Sequence, residues 1–117
     1  MELEARRNPG QRADSSGVCG FVTIGVAHIT LYLEGAQSLK DKRRVIKSLI
    51  QRIHNRFNVA AAEVADLDDW RVASIGVVCV SNSGAHCSDV LASVIGFVDR
   101  IVELGAMGDV ETELIPY

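Results

Sequence analysis

The sequence predicts an α+β domain in which four antiparallel strands carry two helices on one face. Three observations lead there. The runs "VTIGVA" and "SIGVVCV" are dense in β-branched residues, two other stretches repeat apolar residues at helical spacing, and the segments alternate in the order βαββαβ. At 117 residues, with 48% hydrophobic and only 5% aromatic content, the chain is sized for one aliphatic core.

The opening stretch "MELEARRNPGQRADSSG", residues 1–17, is polar, carries Pro9 and two glycines, and follows neither period. It is expected to be a disordered tail, with a single domain over residues 18–117. Strand one is expected from Phe21 to Leu33. The longer run containing it, "VCGFVTIGVAHITLYL", is 16 residues with a histidine inside, short of the roughly 20 apolar residues of a membrane span. No membrane association is expected.

Ser38 can cap the next helix, with Asp41 three residues on standing in for the usual Glu of a capping box. Leu39, Ile46, Leu49, Ile50, Ile53 and Phe57 then share one helical face, and "NRFN" ends the helix. Val59–Val64 and Arg71–Ser81 read as strands two and three, joined by the acidic turn "ADLDDW". Ser83 can cap a second helix from about Ala85 to Leu104, with Val90, Leu91, Val94, Val98 and Ile101 inward, and Asp109–Ile115 alternates as a last strand. This is the split βαβ, or ferredoxin-like, order, in which strands one and three are central. Both are apolar on two faces while helices cover one, so a second copy of the chain is expected on the open face.

Charge is segregated. Ser38 to Phe57 holds seven Lys or Arg against Asp41 alone, whereas the rest of the chain is net −9. With Ile46 inward, 100° per residue places Lys40, Arg43, Arg44 and Lys47 together, Lys42 in the same turns, and Gln51 and His54 farther along the stripe. A solvated helix normally interleaves acids with bases, because like pairs at i,i+4 cost about 0.2–0.5 kcal/mol each. Here Arg43 with Lys47 and Lys40 with Arg44 are like pairs, and several of these charges oppose the helix dipole. Together with Ser38 and the turn at Gly35, the stripe is expected to hold an anion, foremost a nucleic-acid backbone.

Other chemistry is thinly supported. There is no GxxxxGK[ST] or GxGxxG for a nucleotide, so no cofactor is expected. Cys19, Cys79 and Cys87 are odd in number and lack zinc spacing, which fits a reducing cytoplasm without disulfides or metal. Asp66, Asp68 and Asp69 read as a solvated turn, His28 as a half-buried strand residue, and Trp70 as a packing anchor. His86 and Cys87 point apart on a helix, and the serines have no base partner, so no catalytic residue is assigned.

The stretches "GAQSLKDKRRVIKSLIQRIHNRFNVAAAEV" and "DDWRVASIGVVCVSN" closely resemble the small bacterial YlxP-like family, catalogued as a domain of unknown function. The resemblance runs from about Gly20 to Leu114. It rests most on "SLKDKR", "RFNV", the Trp70 region and "VSN". It implies a ferredoxin-like fold, no established enzymatic activity, and genes that often neighbour those for translation initiation and ribosome maturation. It would carry binding of ribosomal RNA onto Ser38, Lys40, Lys42, Arg43, Arg44 and Lys47. The chain departs from the family in its amino-terminal extension and in Ala60 and Ala61, where relatives commonly begin with Ser.

The leading expectation is therefore a non-enzymatic cytoplasmic protein that binds RNA or a ribosomal subunit through helix one. A second is an enzyme or binder for a small phosphorylated anion at the strand-one/helix-one turn, as acylphosphatases of this fold class use theirs. Asn55 or Asn58 would then orient a water, although the acylphosphatase loop sequence is missing. A third is a homodimer that recognises an acidic protein.

Overall fold

A computed structural model describes residues 22–117. Its elements are β1 (Thr23–Tyr32), α1 (Leu39–Arg56), β2 (Ala60–Ala65), β3 (Val72–Ser81), α2 (Gly84–Ile101) and β4 (Ala106–Pro116). The sheet runs β2-β3-β1-β4 and its three strand pairs are antiparallel. This is the ferredoxin-like arrangement, with β1 and β3 central. The expected tail, together with Cys19 and Phe21, lies outside the described residues.

The period-two pattern of β1 sends Ala27, Ile29 and Leu31 to the helix side, where Ile75 and Val77 of β3 join them, all fully buried. Ile46, Leu49 and Ile53 of α1 and Leu91, Val94 and Val98 of α2 close the core from above. Each such side chain contributes about 1.5–3 kcal/mol of burial. Gly25 serves closeness rather than flexibility. A Cβ there would stand 2.9 Å from the Cys79 sulfur and 3.2 Å from the Cys87 Cβ, so its absence lets the start of α2 rest on the sheet.

Both predicted caps form. Ser38 Oγ accepts from the Asp41 N–H, and Ser83 Oγ accepts from the His86 N–H. Asp41 departs from the capping-box pattern, because its carboxylate accepts from the Gln37 N–H at 3.0 Å, one residue before the cap. α2 ends at Ile101 rather than Leu104, and β4 starts at Ala106 rather than Asp109. Leu104 takes a positive φ of 64°, and Gly105 packs against the Tyr32–Leu33 backbone closely enough to exclude any Cβ. The contact with β1 thus recruits residues that the local pattern assigned to the helix and its break.

Three turns meet at one end of the sheet. The β1–α1 turn is tied to the α2–β4 turn by Gly35 N–H donating to the Leu104 carbonyl at 2.8 Å. It is tied to the β2–β3 turn by Leu33 N–H donating to the Arg71 carbonyl at 2.7 Å.

Candidate nucleic-acid interface

The seven bases of α1 divide three ways. Lys42 is fully buried. Its ammonium donates to the carbonyls of Asp66, Asp69 and Val72 at 2.5–2.8 Å, which uses all three of its N–H donors. Glu63 Oε2 lies 2.8 Å from the same nitrogen without a directed hydrogen bond, so it supplies charge balance. Lys42 must therefore be removed from the expected stripe. Lys42 lies four residues before Ile46, about 40° round the helix, and the buried residues Val45, Ile46, Leu49 and Ile53 centre the inward face close to it, so position 42 faces the β2–β3 turn.

Arg52 and Arg56 form the second group. Their guanidinium carbons lie 5.8 and 5.0 Å from the Phe97 ring centroid, and Arg56 also stands 6.0 Å from that of Phe57. These distances fit cation–π contact, and the two rings meet edge to face at 5.5 Å.

Lys40, Arg43, Arg44 and Lys47 remain. All four are exposed, and none has an ion-pair or hydrogen-bond partner among the described residues. Opposite the buried face, they form the outermost crest of α1. Gln51 and His54 continue it, Gln51 donating to the Asn55 side-chain oxygen at 3.1 Å. The Ser38 hydroxyl is engaged as the cap.

The amides of the β1–α1 turn are largely engaged on either side of the helix start. Gly35, Ala36, Gln37, Asp41 and Lys42 all donate their backbone N–H within the protein. The acidic turn is likewise internally committed. Asp66 Oδ2 accepts from the Ser74 hydroxyl, Asp69 Oδ1 from the Arg71 N–H, and the carbonyls of both from Lys42. Among the described residues no cluster of His, Cys, Asp or Glu could hold a metal. Cys79 and Cys87 are buried and free, and burial first, then proximity to Cys87, pushes the Cys79 thiol up from its ordinary value.

Beside the start of α1 lies an open cavity of about 740 Å³, lined by Tyr32, Glu34, Ala36, Gln37, Trp70, Arg71 and Val72. Tyr32 and Trp70 are 43% and 39% exposed, so Trp70 is only partly the packing anchor expected of it. The Arg71 guanidinium carbon stands 5.7 Å from the Trp70 ring centroid. Trp70 stands out in the sequence, but nothing local to either residue links it with Tyr32. Pairing the end of β1 with the start of β3, Tyr32 opposite Val72, is what joins them, and the βαββαβ order already implied that neighbourhood.

A family model described as "Protein of unknown function (DUF503)" matches residues 24–108. "Uncharacterized protein YlxP" of Bacillus subtilis (strain 168) is 36% identical over 81 residues, 69% of this chain and 88% of that protein. The designed protein Foldit4 superimposes with a TM-score of 0.49 at 11% identity, covering 82% of this chain and 98% of that one.

Proposed function

The chain belongs to the family described as protein of unknown function (DUF503), and on that footing we propose that it is a small non-enzymatic accessory protein that binds RNA or a ribosomal particle through the crest of α1. The carrying observation is that four cations, Lys40, Arg43, Arg44 and Lys47, stand side by side with no ion-pair partner among the described residues, on a chain of net charge −3. Two turns of like charge without local compensation are stabilised when an extended polyanion lies along them. The length of the crest, from Lys40 to Lys47, favours such a backbone over a small phosphate seated in the turn, which would reach only its first residues.

Sedimentation of a cell lysate through sucrose at low and moderate salt tests the reading. The wild type should migrate with a ribosomal particle in a salt-sensitive, ribonuclease-sensitive way, and the folded triple variant Lys40→Glu, Arg43→Glu, Lys47→Glu should stay at the top. A wild type that remains at the top under every condition removes the proposal, and a complex resistant to ribonuclease replaces RNA with a protein partner.

A second reading is favoured by the open sheet face, where Val64, Val80 and Ile115 are 55%, 68% and 37% exposed. Self-association through that face would cover them. Sedimentation velocity should then show a dimer that Val80→Lys converts to monomer. No helix among the described residues is long and apolar enough to cross a membrane.

A further inference from the structure

Building on the RNA reading, we propose that the cavity beside the start of α1 is a base-stacking site. Trp70, with Tyr32 and Arg71, receives one unpaired nucleobase while the crest of α1 holds the adjoining phosphates. An unpaired base offers a flat face and a polar edge. The cavity matches both requirements. Its aromatic rings are half exposed, a guanidinium lies beside the indole, and Glu34 and Gln37 at its wall can accept from and donate to a base edge. Glu34 repels phosphate from the cavity itself, whereas the Ala36–Gln37 wall leads directly into Ser38 and the cations beyond it. Base and backbone are thereby sorted to adjacent places on one strand.

The cavity is built rather than incidental. Lys42 grips the carbonyls of Asp69 and Val72 on either side of Trp70 and Arg71, so it is a positioning residue for the site it does not itself line. The Arg71 carbonyl accepts from Leu33 N–H, fixing the opposite wall. Gly108 lets the Tyr32 ring lie against β4, where a Cβ would stand 2.1 Å from Cε2. A platform held this way loses little freedom when a base settles on it.

Trp70 is the chain's single tryptophan, so its emission reports the site directly. The full chain would be titrated with an eight-nucleotide oligoadenylate, an abasic ribose-phosphate strand of equal length, and an eight-base-pair RNA duplex. Affinity would come from the anisotropy of labelled strands and stacking from unlabelled ones. Oligoadenylate should quench Trp70, and the other two should not. Trp70→Ala, checked for folding by circular dichroism, should weaken oligoadenylate binding about five- to 150-fold. It should change duplex binding by less than about twofold, and Trp70→Phe should restore the single-strand affinity. Salt-sensitive binding with no quenching, or equal quenching by duplex, overturns the stacking site while leaving the α1 reading standing. If none of the three probes binds at low salt, the α1 reading falls and takes this one with it. Should Trp70→Ala not fold, the wild-type quenching pattern alone decides.

Discussion

At the residue scale, Lys42 shows how one side chain can belong to the fold while its neighbours belong to the surface. A buried ammonium is tolerable only when its hydrogen bonds and its charge are both answered, and three carbonyls with Glu63 answer them. Lys42→Met should cost about 3–5 kcal/mol in a urea unfolding curve, because it leaves Glu63 charged and the carbonyls unpaired. Adding Glu63→Gln should recover part of that loss, a coupling that a double-mutant cycle measures. Additive costs would mean the two do not act as a pair. Cys79 gives a pH prediction. Burial raises its thiol, so above about pH 9 the unfolded chain loses a proton that the native chain keeps. Its contribution is complete below the unfolded value and is lost as pH rises through the native one. Cys79→Ala should therefore flatten part of the fall in melting temperature above about pH 9.

At the element scale, α1 is amphipathic twice over, apolar toward the sheet and cationic at its crest. With four phosphate contacts, log K for RNA should fall with log salt at a slope of about −3, and each crest cation changed to Ala should flatten it by about 0.7–0.9. A slope near zero would exclude the crest as a backbone contact. α2 depends instead on close approach. Gly25→Leu forces bulk between β1 and the Cys87–Leu91 turn and should cost at least about 1–3 kcal/mol, read as a lowered urea midpoint.

At the scale of the whole molecule, the chain is a positive ridge on a negative body. Such segregation favours an oriented contact over indiscriminate polyanion binding. The open sheet face and the crest are separate surfaces, so self-association and RNA binding should respond to different substitutions. Val80→Lys should abolish any dimer while changing RNA affinity by less than about threefold, with sedimentation velocity and anisotropy as the two readouts. Loss of both together would place the RNA contact across the dimer.

Much of this was legible in the sequence because strands and helices announce themselves through local periodicity. The alternation in β1 and β3, the Ser38 and Ser83 caps and the βαββαβ order each follow from residues close together in the chain, and the order alone put β1 and β3 at the centre. The crest cations were legible for the same reason, since helical spacing is local. The fate of Lys42 was not. Its spacing from Ile46 and Leu49 turns it inward, but the three carbonyls that receive its ammonium belong to a turn at least 24 residues away in sequence. The late start of β4 predicted from its pattern, and the meeting of Tyr32 with Trp70, failed or went unseen for that reason too: pairing partners, rather than the residues themselves, decide them. The sequence by itself determined the elements, their order and the cationic crest. Tertiary structure decided which charge is buried and which aromatic rings share a cavity, because burial and proximity are properties of what packs against a residue.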